Sequence, residues 1–239
     1  MSDQDGKVIQ SSHGNMRAVS RIMLGATPLA IRVHQQAILA EFGRRVIHTK
    51  DLSSLLHDAA ELGAEGLGVD CAKVLELLPN KGRLLVRAGV GWSEGVVGVA
   101  TVGADLESPA GYALHTGQPV LADDLATETR FRVPELMRRH GIQSAVNVII
   151  RSDGEPFGVL EVDSRTPQSF SADDLNFLEG FANLRTRRMH VSAADLRREH
   201  GRPATADARN FRPQAGWSEW GLEYQQRGVE LACRSTRQG

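Results

Sequence analysis

Residues 144–182 constrain the fold more than any other stretch of this chain. Ser144-Ala-Val-Asn-Val-Ile-Ile150 and Phe157-Gly-Val-Leu-Glu-Val-Asp163 are apolar runs joined by the turn Ser152-Asp-Gly-Glu-Pro156. Two such runs around an Asp-Gly turn predict a β-hairpin. Phe170-Ser-Ala-Asp-Asp-Leu175 then opens a helix, because Ser171 and Asp174 have capping-box spacing, with Asp in place of the usual Glu or Gln. Leu175, Leu178 and Ala182 follow at i, i+3 and i+7, with Phe181 beside them, as one helical stripe.

A second punctuated segment precedes the hairpin. In Ser108-Pro-Ala-Gly-Tyr-Ala-Leu-His-Thr-Gly-Gln-Pro-Val120, Ser108 can cap a short helix and Pro109 suits its first position. Gly117 accepts the left-handed conformation that ends helices, and Pro119 prevents resumption. Asp123-Asp124 and then Arg130-Phe131 follow. This succession resembles the GAF domain, the small-molecule sensor module of signalling proteins, over roughly residues 35–184. The middle helix, the acidic residue before an Arg-Phe pair, and the Phe-Gly-Val-Leu strand before Phe-Ser-x-x-Asp carry the resemblance. It identifies a fold and leaves the ligand open.

Upstream, Ile38, Phe42 and Val46 line up on a helix from Leu29 to Ile47, with Ile31 and Leu39 adjoining. Asp51 can cap a second helix whose Leu52, Leu55, Leu56, Ala59 and Leu62 share a face, with Gly66 and Gly68 closing it. Strands follow over Ala72–Leu78 and around Leu84, Val86 and Ala88, and then a glycine-rich loop around Trp92 and a short strand. The order helix, helix, three strands, helix, strand, helix, two strands, helix predicts an α+β domain with a mainly antiparallel sheet. The resemblance further implies helices on one face, a ligand pocket on the other, and terminal helices joined in a dimerisation bundle. The expected organisation is a disordered leader over 1–28, a GAF-like domain over 29–184 and an irregular Arg-rich tail over 185–239. All 11 basic residues of that tail are Arg, and the reading is of a truncated or frame-shifted end.

Composition narrows the class. Apolar residues make up 41%, enough for a core, and no apolar run approaches the ~18 residues of a membrane helix. The polar N-terminus shows no secretory signal, so a cytoplasmic, bacterial signalling protein with no membrane partner is expected. Residues 35–184 carry 13 Lys+Arg against 21 Asp+Glu, a balance of −8 that argues against a nucleic-acid surface. Only 55 residues follow Leu184, too few for a kinase module, so no catalytic activity is expected.

The expected ligand contacts are Tyr112, His115, Phe131, Asn147 and Glu161. Asn147 and Glu161 lie on the two hairpin strands, where one polar face would look into the concavity that the resemblance implies; Asp163 and Lys73 can join them. Asp123-Asp124 reads more simply as a capping loop, and His115 as an exposed or capping residue. Cys71 reads as a buried packing residue, since GAF-type methionine sulfoxide reductases need several cysteines and photoreceptor domains a Cys-His pair. The glycine-rich stretch 89–98 lacks a Lys-Ser/Thr, which argues against a phosphate loop and favours a pocket rim or tight connection. The cofactor stays unknown. The leading expectation is a non-catalytic sensing module of a two-component system, homodimeric, with a small-molecule ligand and a signalling protein partner. Two alternatives remain: the sensor fragment of a histidine kinase acting as an interaction platform, and a redox or haem protein using Cys71 or His115.

Overall fold

Capping residues set the ends of the helices. In the computed structural model, which describes residues 26–49, 51–79, 82–152 and 155–183, α1 (Pro28–His48) starts where Thr27 accepts a hydrogen bond from the Ala30 amide. Asp51 accepts from the Ser53 and Ser54 amides to open α2 (Leu52–Leu67), and Gly68 ends it at φ 64°. Ser108 accepts from the Gly111 amide at 2.9 Å to open α3 (Pro109–Thr116), and Gly117 closes it at φ 67°. A short α4 (Glu135–Arg139) follows, and α5 (Ala172–Ala182) carries the reciprocal Ser171/Asp174 box that the sequence predicts. Asp174 serves because its carboxylate reaches the Ser171 amide at 2.9 Å. The tail at 185–239 and the first 25 residues of the leader lie outside the described residues.

Six strands complete the domain: β1 (Cys71–Leu78), β2 (Arg83–Val90), β3 (Thr101–Gly103), β4 (Val120–Ala122), β5 (Ser144–Ser152) and β6 (Glu155–Ser164). They form one antiparallel sheet in the order β3-β2-β1-β6-β5-β4, so β1 and β6, far apart in sequence, lie at its centre. Strand alternation then sorts side chains onto two faces.

On one face Ala72, Val74, Val146, Val148, Leu160 and Val162 pack against α1, α2 and α5. Phe42, Phe177 and Phe181 interlock there, with ring centroids 4.7 and 5.2 Å apart. Gly66 belongs to this packing rather than to the end of α2: a Cβ there would fall 2.2 Å from the Phe177 ring. The apolar stripe of α5 is likewise packed here, with Leu178 fully buried. The short helices α3 and α4 contribute to the opposite face. There Ala113, Phe131 and Met137 pack with Cys71 and Ala145, while Ala110, Leu114 and Val96 pack with Leu75 and Val159.

Candidate functional site

Between those two apolar clusters runs a polar row. Lys73 pairs in register with Glu161 across β1 and β6, and Glu161 with Asn147 across β6 and β5. One step along, Cys71 pairs with Asp163 and Asp163 with Ala145; one step the other way, Leu75 pairs with Val159. Lys73, Asn147, Glu161 and Asp163 are all at most 2% exposed. Burying four such side chains in one patch is costly unless each finds partners.

Some partners are present. The Lys73 ammonium donates to Asp163 Oδ2 at 2.7 Å and lies 3.1 Å from Glu161 Oε2. The Trp92 ring covers it with its centroid 4.3 Å away, a cation–π contact. Other groups have none: both side-chain heteroatoms of Asn147, Glu161 Oε1 and Asp163 Oδ1 lack any hydrogen-bond partner. Buried polar groups in folded proteins are overwhelmingly paired, so four orphans on one small patch call for an explanation.

Titration follows from this burial. Desolvation pushes the Glu161 carboxyl up to about 8, against the pull of Lys73 and with the help of repulsion from Asp163. Desolvation also raises Asp163, opposed by Lys73. Burial alone would depress Lys73, but the two carboxylates outweigh it and hold it above its usual value. One ammonium thus serves two carboxyl groups, and Glu161 keeps a proton near neutrality.

Trp92 is the lid of this row, and it is tied down. Its indole N–H donates to the Ala72 carbonyl at 2.9 Å, and its ring meets His140 edge-on at 4.8 Å. His140 Nε2 accepts from the Ser93 amide at 3.2 Å, which places the ring proton on Nδ1, facing the Leu136 carbonyl at 2.8 Å. Arg165 donates to the Gly91 and His140 carbonyls at 2.6 and 3.1 Å. The glycine-rich connection is therefore held against the sheet at Gly91 and Trp92.

The five expected contacts divide. Asn147 and Glu161 sit side by side in the row. Tyr112 and Phe131 form a tilted pair 6.0 Å apart in the adjoining apolar cluster, with Arg130 over both rings. His115 lies apart from the row, because Ala113 and Leu114 take the buried side of α3 and leave it exposed on the last turn. Lys73 and Asp163, secondary in the sequence reading, are central here, and Trp92 was missed as a contact. A lysine inside the apolar run Cys71-Ala-Lys-Val-Leu75 was the available signal for the first.

Cys71 is fully buried, its thiol donating weakly to the Gly91 carbonyl, and desolvation pushes it up to about 12. A thiol so held is not a nucleophile near neutrality. No cluster of His, Cys, Asp and Glu among the described residues can hold a metal ion, and no described helix is long and apolar enough to cross a membrane. An open hollow of about 360 Å³ lies beside β4, lined by Asp123, Asp124, Glu128, Arg130 and Phe170 among others. Its polar groups are spent locally: Asp124 caps a turn through the Ala126 amide, and Arg130 binds Glu128 and the Leu121 carbonyl. The buried row, with its unmet hydrogen bonds, is the stronger site.

Comparison with known proteins agrees with this architecture. The profile of the GAF domain family matches residues 51–185. Among solved structures, the GAF domain of an Acinetobacter phosphoenolpyruvate-protein phosphotransferase is 20% identical with a TM-score of 0.59, over 68% of this chain and 97% of that one. Free methionine-R-sulfoxide reductase from Neisseria meningitidis, in complex with its substrate, is 18% identical at TM-score 0.58, over 72% and 96%. The phycocyanobilin-bound GAF domain of a cyanobacterial phytochrome is 19% identical at 0.51, over 70% and 98%. These likenesses show the fold. No curated protein matches the sequence significantly.

Proposed function

The chain belongs to the GAF domain family, a family of ligand-sensing signalling modules, and from that premise we propose that it binds a small molecule on the sheet face carrying Lys73, Asn147, Glu161 and Asp163. The observation that carries this reading is the set of four unpartnered, buried polar atoms on Asn147, Glu161 and Asp163. A ligand would enter by displacing Trp92 and would supply the missing hydrogen bonds. The module acts without catalysis: its one described cysteine is a buried thiol, and His115 is on the solvent side of its helix. That weighs against a redox or haem role. The acidic balance of the domain fits a cytoplasmic sensor with no nucleic-acid partner.

The signal leaves through α1. Its inner face, Gln35, Ile38 and Phe42, is spent on the core, but Leu29, Val33 and Ile47 are 71%, 62% and 71% exposed. With Gln36, Ala40 and Gly43 they follow the 4-3-4-3-4 spacing of a coiled-coil seam. A second copy of this chain would cover the seam, and ligand binding would favour one arrangement of the helix pair. Such a dimer would present its terminal helices to a signalling partner of a two-component system.

Native mass spectrometry of the full-length chain under gentle conditions tests both parts. A dimer carrying a constant extra mass, lost in Glu161→Gln together with Asn147→Val, is expected. An extra mass that survives those substitutions would place the ligand elsewhere, and bare polypeptide would favour a pure interaction platform. Val33→Glu should yield monomer; a dimer unaffected by it would remove α1 from the interface.

A further inference from the structure

Once Glu161 gives up its proton, the polar row has more acceptors than donors, and this bears on what it can bind. Three of its four unpartnered atoms are oxygens, Asn147 Oδ1, Glu161 Oε1 and Asp163 Oδ1; the fourth is the Asn147 amide nitrogen. Within the row, two carboxyl groups share one ammonium. A further cation, Arg165, donates to the Gly91 and His140 carbonyls and acts on Asp163 through space. The lid is an aromatic ring that already faces a cation, Lys73, at 4.3 Å. An anionic ligand would meet two carboxyl groups and leave their free oxygens unsatisfied, at the full cost of a buried unpaired acceptor. A cation rich in N–H groups would satisfy them.

We propose that this face selects a small cationic head bearing several N–H donors, such as an amidinium or guanidinium group, held between Glu161, Asp163 and the Asn147 side chain beneath Trp92. The inference rests on the reading that this face takes a small molecule, and it names the class. The planar N–H fork of such a head matches a carboxylate oxygen together with a neighbouring amide oxygen. Its carbonyl counterpart, a primary amide, carries fewer donors and no charge. Its carboxylate counterpart carries none.

Acetamidinium, acetamide and acetate have the same size and shape and differ only in that head, so they separate charge from fit. Each is titrated into the full chain above pH 8, where Glu161 is ionised, while the side-chain amide signal of Asn147 is followed by NMR, the signal being assigned by its loss in Asn147→Val. Acetamidinium should bind about tenfold more tightly than acetamide, the difference between a charged and a neutral hydrogen bond, and acetate should leave the signal still. Glu161→Gln, which leaves the Lys73–Asp163 pair in place, should shrink that preference. Acetamide or acetate binding as tightly as acetamidinium would overturn the cationic class and leave the small-molecule reading standing. A signal that none of the three moves would overturn both.

Discussion

The two faces of the central sheet are made of the same strands and obey opposite rules. Toward α1, α2 and α5 the core layer of β1, β5 and β6 is built of Ala72, Val74, Val146, Val148, Leu160 and Val162, and three phenylalanines close it. Toward α3 and α4 the alternate residues of those strands include Lys73, Asn147, Glu161 and Asp163, equally buried and only partly hydrogen-bonded. The first face is a solution to folding alone. The second carries a cost that folding does not require, and such costs collect where a protein does something else.

The largest expected effect separates the faces by whether it can be undone. Leu178→Ala on the helix face should lose about 2–5 kcal/mol to a cavity that no polar change elsewhere restores. Lys73→Met should lose a similar amount, about 3–5 kcal/mol, because two carboxyl groups are then stranded. Adding Glu161→Met and Asp163→Leu to it should recover most of that loss, since replacing a whole buried ionic group by well-packed apolar residues is often neutral or stabilising. Chemical denaturation of the three variants measures this, and a triple variant as weak as the single one would mean the row holds the fold together after all.

A second effect lies in the pH dependence of stability, which the helix face cannot contribute. Glu161 holds its proton more tightly folded than unfolded, so its contribution is greatest below its ordinary value of 4.5 and declines as pH rises toward about 8. Asp163, also raised, acts in the same direction from its own ordinary value upward. Lys73, held above 10.5, contributes stability that is lost only as pH climbs beyond that value. Glu128, drawn down to about 2 by Arg130, opposes them: its contribution is present above 4.5 and lost as pH falls toward 2. The difference between wild type and Glu161→Gln isolates the first of these. It should shift in favour of the variant between pH 4.5 and 8, and a flat difference would show Glu161 ionised throughout.

The smallest effect sharpens the account of the helix face. Ser171→Ala removes a cap whose hydroxyl accepts from the Asp174 amide at 3.2 Å, and should cost about 1 kcal/mol by thermal unfolding. No change in ligand retention should accompany it, because α5 packs on the face away from the row.

Much of this division was legible in the sequence. The caps at Asp51, Ser108 and Ser171 and the closing hairpin are local chemistry, and local chemistry survives into the fold. Alternation alone puts Asn147 and Glu161 on faces of their own strands. What alternation cannot supply is register between strands distant in the chain. Lys73 meets Asp163 across 90 positions, and only the β1–β6 pairing sets it beside both carboxyl groups. The same holds for Trp92, whose place over Lys73 depends on a turn at Gly91 fixed by Arg165. The side of α3 that His115 takes is not legible in its sequence, because the short helix has no strong stripe; packing of Ala113 and Leu114 decides it. On α1, Ile38 and Phe42 belong to the core, while Leu29, Val33 and Ile47 stay exposed.

The central claim is that the polar row is not there for the fold. Asn147 tests it most directly, since its side chain is wholly buried and makes no hydrogen bond, while its chain neighbour Val148 faces the helices. Denaturation midpoints of Asn147→Val and Val148→Ala, measured side by side on ligand-free protein, give the answer. The account predicts a midpoint at or above wild type for Asn147→Val and a clear loss for Val148→Ala. An equal loss in both would contradict it, and would make Asn147 a structural residue like its neighbour.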